Sequence, residues 1–154
     1  MTLLLAAVGR LRPSFRDAVD EYLKRLRRFV PVEEREVREA GRAGNPVAQR
    51  REEAARLRAA APAEARWVAL DLSGKGWSSE ALASRLETWK APGKDTVFLI
   101  GGATGLDGTL LAEAEERWSL GPLTLPHELA RVVVSEQLYR AATILAGQPY
   151  HKGA

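Results

Sequence analysis

The chain has 154 residues, of which 45% are hydrophobic and 28% charged, with a formal net charge of +3. That is an ordinary length for one compact domain, here expected to span 1–154, and it can bury a core without staples. The composition excludes a disordered chain. The absence of cysteine excludes disulfides, thiolate nucleophiles and cysteine-ligated metals, and with only His127 and His151 a histidine-rich metal site is excluded too.

The charge is unevenly spread. Residues 1–60 carry 14 Arg/Lys against 9 Asp/Glu, and residues 61–154 carry 9 against 11. A basic first part attracts polyanions; the same pattern also describes a solvated helix face laced with ion pairs. The single Met and the heavy use of Arg, Glu and Ala fit a thermophile and equally a high-GC genome. The start, Met1 to Arg10, lacks the basic segment and small-residue cleavage site of a signal peptide. No apolar run approaches the roughly 20 residues of a membrane span. The expected compartment is the cytoplasm, with no membrane partner.

In chain order, LLLAAV at 3–8 reads as a buried strand ended by Gly9. Pro13 and Ser14 open a helix over about 14–28, with Phe15, Val19, Tyr22, Leu23 and Leu26 at helical spacing. Its other face carries Arg16, Lys24, Arg25, Arg27 and Arg28. A second strand is expected over 30–38, a loop from Gly41 to Pro46, and a charged helix over about 46–60. RWVALDL at 66–72 is a third strand, broken by Ser73-Gly74-Lys75-Gly76. Ser78 or Ser79 caps a helix near 79–90. TVFLI at 96–100 is apolar at almost every position, as a strand buried on both faces should be. A helix is expected over 108–117, an extended stretch from Trp118 to Pro126, and a last helix over about 127–146, apolar through Leu129, Val132, Val133, Leu138, Ala142 and Ile144. Alternating strands and helices predict an α/β fold with a mostly parallel sheet flanked by helices.

Gly101-Gly102-Ala103-Thr104-Gly105 follows a buried strand and precedes a helix, the setting that places ligands at the carboxyl edge of a parallel sheet. Its spacing matches neither the dinucleotide fingerprint nor a P-loop, and a tight turn needed only for packing would look the same. Gly121-Pro122-Leu123-Thr124-Leu125-Pro126-His127 is stiffened by two prolines. It reads as a rigid connector or as a segment presenting fixed backbone groups to an adenine edge. On the last helix Glu136 and Arg140 stand at i, i+4 and can pair, while Arg131 and Arg140, nine residues apart, point to opposite faces. Tyr150-His151-Lys152 places an aromatic, a titratable ring and a cation at the C-terminus, suited to RNA contact or proton handling, or to a frayed end.

Taken together and in order, these segments resemble the ribosomal RNA large subunit methyltransferase H family, a small branch of the SPOUT methyltransferases. The resemblance covers essentially the whole chain. It rests on Leu5 to Gly9, Tyr22 to Arg25, the Gly41/Gly44 loop, Leu70 to Lys75, Ile100 to Leu106, Trp118 to Leu120, Leu123 to His127, Arg131 to Ala141 and Pro149 to Lys152. It implies a deep C-terminal trefoil knot and a homodimer. It also implies S-adenosylmethionine-dependent methylation of N3 of a pseudouridine in large-subunit (23S) rRNA, on assembled ribosomes and without a metal.

By position, the resemblance assigns Leu70, Gly101, Gly102 and Gly121, Pro122, Leu123, Thr124, Leu125 and Pro126 to the cofactor. His151, Tyr150 and Arg140 become candidates for proton removal, base stacking and charge compensation, and Arg131 and Lys152 candidates for RNA contact, in a composite site that draws on both subunits. Two other readings remain: a non-catalytic RNA-binding factor of ribosome assembly, and a SPOUT methyltransferase of another RNA.

Overall fold

The computed structural model describes residues 1–41 and 44–153; Arg42 and Ala43, in the loop expected over 41–46, and Ala154 lie outside the described residues. Among the described residues, five strands form one parallel sheet in the order β2-β1-β4-β3-β5. The strands are β1 (Leu3–Val8), β2 (Val32–Val37), β3 (Arg66–Gly76), β4 (Thr96–Ile100) and β5 (Glu116–Ser119). The helices are α1 (Pro13–Leu26), α2 (Pro46–Ala60), α3 (Ser79–Lys90), α4 (Gly108–Glu113) and α5 (His127–Leu145). A 3-10 turn over Pro149–Gly153 follows α5. This is the expected α/β architecture.

β1 and β4 are buried at every residue, which explains their unbroken apolar runs. Alternate β1 side chains serve two cores. Leu3, Leu5 and Ala7 pack with α1, α3 and α5, whereas Leu4, Ala6 and Val8 pack with α2 and α4. Polar caps fix several helix starts. The Asn45 side chain accepts from the Ala48 N–H at 2.9 Å, and Ser78, one of the two expected caps of α3, accepts from Ala81 at 3.0 Å.

Three elements depart from the sequence reading. Residues 73–76 do not end β3; the strand resumes pairing with β5 at Lys75, after a register break that lets residues 71–74 bulge outward. Gly74 permits this, because a Cβ there would lie 2.5 Å from the Arg117 carbonyl carbon. The helix expected over 108–117 stops at Glu113, and Glu116–Ser119 form an edge strand instead. Pairing with β3 outweighs the helix propensity of Ala-Glu-Ala-Glu-Glu. On α5 the buried stripe runs through Glu128, Arg131, Val134, Ser135, Leu138 and Ala141, leaving Leu129 at the surface and Val132 and Val133 only half-buried.

Candidate functional site

A cleft of about 590 Å³ opens at the carboxyl edge of β3, β4 and β5, beside the first turn of α5. That volume is in the range of small-molecule sites. Two backbone segments form opposing walls. One is the turn after β4, with Ile100, Gly101, Gly102, Ala103 and Gly105; the other is Leu123, Thr124, Leu125 and Pro126, leading into His127 and Ala130. Leu70, Asp71 and Leu72, from the bulged part of β3, and Trp118 and Leu120 complete it.

At Gly101 and Gly102 the turn is packed too tightly for side chains. A Cβ on Gly101 would lie 2.7 Å from the Gly105 carbonyl carbon, and one on Gly102 would lie 2.9 Å from Val8 Cγ1. At these two positions the turn offers main chain alone to the cleft. The Gly105 N–H donates to the Gly102 carbonyl at 3.1 Å, and Arg50 of α2 donates to the Thr104 carbonyl at 3.4 Å. Trp118 forms a firm floor: it is 3% exposed and stacks on Trp77 at 5.2 Å, while the Arg85 guanidinium lies 4.0 Å from the Trp77 ring.

Of the residues assigned to a cofactor, Leu70, Gly101, Gly102 and Leu123 through Pro126 do line the cleft. Gly121 and Pro122 stand just outside its lining, where Ser119 Oγ accepts from the Gly121 N–H at 3.2 Å and donates to its carbonyl at 3.1 Å. They shape the wall that follows them. Ile100, Asp71, Leu72 and Trp118 lie in segments that carry the resemblance, but the sequence alone did not assign them to a ligand. The position of Ile100 at the end of a buried strand was the one usable signal.

The tail is elsewhere. The Tyr150 ring packs on Tyr139 at 4.6 Å, its hydroxyl donates to Glu136 at 2.9 Å, and Arg140 pairs with the same carboxylate at 2.7 Å. The Arg140 guanidinium stands 5.0 Å from the Tyr150 ring. Burial, then the Glu136 contact, push the Tyr150 phenol well above its ordinary range, and the hydrogen bond to Glu136 likewise raises Arg140. His151 Nδ1 is buried and has no hydrogen-bond partner among the described residues. The tail packs against the Glu136–Tyr139 part of α5, and none of its described residues lines the cleft.

Arg131 is 1% exposed. Its guanidinium contacts Glu34 and Glu36 and donates to the Val8 and Gly9 carbonyls at 3.2 and 2.9 Å. In this position it braces the fold and offers nothing to RNA. Lys152 is exposed. Among the described residues, no group of three His, Asp or Glu side chains could hold a metal ion.

A family model described as "Predicted SPOUT methyltransferase" matches residues 1–151. The chain belongs to the SPOUT methyltransferase family. Over 155 aligned residues it is 46% identical to a protein of Stenotrophomonas maltophilia named ribosomal RNA large subunit methyltransferase H, covering 99% of each. A protein of the same name from Acidithiobacillus ferrooxidans is 47% identical, with 99% of this chain and 98% of the relative covered. Among solved structures, a probable methylase family protein from Haemophilus influenzae matches with a TM-score of 0.52 at 10% identity, over 97% of this chain and 69% of that one. An AdoMet-bound rRNA methyltransferase from Sinorhizobium meliloti matches with a TM-score of 0.50 at 15% identity, over 94% of this chain and 57% of that one. These two likenesses concern the fold alone.

Proposed function

We propose that this SPOUT methyltransferase uses S-adenosylmethionine to methylate N3 of a pseudouridine in 23S rRNA, acting as a homodimer on assembled ribosomes in the cytoplasm. The observation that carries the reading is the convergence of the Gly101–Gly102 turn and the Leu123–Pro126 segment on one cleft, in a chain 46% identical along its whole length to a protein named for that class of activity. A single domain over 1–154 and a knotted C-terminal part belong to the same reading. Among the described residues, no helix is long and apolar enough to cross a membrane.

The cleft suits an adenosine-bearing ligand. Leu70, Ile100, Trp118 and Leu125 offer apolar faces, and the turn brings main-chain groups close without a Cβ in the way. Bound there, S-adenosylmethionine supplies a methyl group made electrophilic by its sulfonium. Gly101, Gly102 and Leu123 through Pro126 hold it through backbone groups, and Gly121 and Pro122 set the path of that second wall.

The protonated N3 of the target base is a poor nucleophile, so the protein must position the base and take up its proton. His151 is the group in the tail suited to receive it. Tyr150 stays a phenol, stacking on the base and donating a hydrogen bond; Arg140 and Lys152 offset negative charge. Because no described tail residue lines its own chain's cleft, the tail of a second copy completes the site in this reading. Leu72, Leu123 and Leu129, exposed at the cleft rim or in the first turn of α5, offer apolar surface for that copy.

Mass spectrometry of rRNA from a strain lacking the protein tests this reading. The expected result is the loss of one methyl group on one pseudouridine of 23S rRNA; an unchanged spectrum refutes it. A non-catalytic RNA-binding factor predicts no binding of S-adenosylmethionine in calorimetry, and a methyltransferase of another RNA predicts that the lost methyl maps elsewhere.

A further inference from the structure

Glu53 of α2 is 1% exposed. Two donors converge on its Oε2: the Ala40 N–H at 3.0 Å and the Gln49 amide at 3.3 Å. Its Oε1 is buried and has no hydrogen-bond partner among the described residues. That oxygen lies 3.7 Å from the point where a Cβ on Gly102 would stand, directly behind the turn that walls the cleft. Its Oε2 ties Ala40 to α2, but nothing among the described residues accounts for the second, unpartnered oxygen of this buried carboxyl.

The rest of the cleft has the same sign of charge. Among the described lining residues Asp71 is the one carboxylate, and neither Lys nor Arg lines the cleft. Arg50 reaches the turn only at the Thr104 carbonyl, and Glu53 makes no ion pair among the described residues. Beside the cleft, Glu128 is neutralised by Arg12 at 2.9 Å.

We propose that Glu53, together with Asp71, makes the cleft selective for a sulfonium methyl donor over the thioether product that lacks the sulfur's positive charge. The inference rests on the cofactor reading above. S-adenosylmethionine and S-adenosylhomocysteine share the adenosine and amino-acid parts that backbone and apolar walls recognise. They differ by one methyl group and one positive charge, at the sulfur. Two carboxylates around a cleft without lining Lys or Arg favour the sulfonium. When the methyl group has left, that attraction is lost and the product is released more readily.

Calorimetry on the full-length chain tests this, using S-adenosylmethionine, S-adenosylhomocysteine and an analogue carrying an amine cation in place of the sulfonium. Glu53→Gln and Asp71→Asn should each weaken both cationic ligands about fivefold, the size of effect expected when a charge near a cation is removed in partly screened surroundings, and leave S-adenosylhomocysteine nearly unchanged. Equal weakening of all three ligands would show a merely structural role and overturn the proposal, as would unchanged affinities. If Glu53→Gln does not fold, Asp71→Asn, on the cleft surface, decides alone. A wild-type chain that binds none of the three ligands overturns the cofactor reading and this inference with it, a result distinct from binding without charge selectivity.

Discussion

Arg131 reaches from α5 to Glu34 on β2, 3.1 Å away, and in passing ties down the carbonyls of Val8 and Gly9 at the end of β1. Val8 is the residue against which Gly102 packs. A buried cation thus links the last helix, the edge strand and the wall of the cleft. Arg131→Ala should lower stability by about 3 kcal/mol, because it strands Glu34 and Glu36 beside each other with one cation fewer. Denaturant unfolding checks this. A loss confined to RNA binding, with an unchanged unfolding midpoint, would restore the RNA role first expected of Arg131.

Buried charges of this kind are invisible in the sequence. Arg131, Glu53 and Glu128 occur among other charged residues, and helical spacing alone does not say which of them face inward. β1 and β4 were legible because both of their faces are covered, which leaves an unmistakable apolar run. β5 was not legible, because Glu116-Arg117-Trp118-Ser119 gains its extended form from β3, a partner forty residues away. The two walls of the cleft were marked by glycine and proline, but Asp71 and Leu72 enter it through a bulge that only the close approach of Gly74 to Arg117 makes possible.

The glycine turn separates two substitutions of the same chemistry. Gly101→Ala pushes a methyl group against the Gly105 main chain at 2.7 Å, whereas a Cβ on Gly108, at the start of α4, meets nothing within 4 Å. Gly101→Ala should weaken S-adenosylmethionine binding at least tenfold by displacing the turn, at a cost of about 1–3 kcal/mol in local strain. Gly108→Ala should leave binding unchanged and raise stability by up to about 1 kcal/mol. Calorimetry with thermal unfolding checks both. Equal affinities for the two variants would mean that the turn is not a ligand wall.

The tail residues divide by chemistry. Burial and Glu136 hold the Tyr150 phenol above its ordinary range, so it remains protonated throughout the neutral region. Tyr150→Phe should therefore lower the methylation rate without moving the pH–rate profile, whereas His151→Ala should lower it about a hundredfold by removing the proton acceptor. A shifted profile for Tyr150→Phe would give the phenol a titrating role. Unchanged methylation by His151→Ala at every pH would remove the proton role from His151.

Glu128 joins the starts of α1 and α5: its Oε2 accepts from the Arg12 N–H at 2.7 Å and its Oε1 from Arg12 Nε at 2.9 Å. The Arg12 N–H, reinforced by the guanidinium and opposed by burial, holds this carboxyl below the usual carboxylate range. A folded-state value below the unfolded one means that the contribution is fully present above the unfolded value, about pH 4, and is lost as pH falls through the folded value. Glu128→Gln keeps an acceptor for the Arg12 N–H but loses the charge. Its thermal midpoint should lie below the wild type at pH 7, and the two curves should converge as the solution is acidified below about pH 4. Curves that stay parallel to the acid end would show that the ion pair adds nothing to folding. The first turn of α5 borders the cleft through His127 and Ala130, so the same variant should weaken S-adenosylmethionine binding in step with its loss of stability at neutral pH.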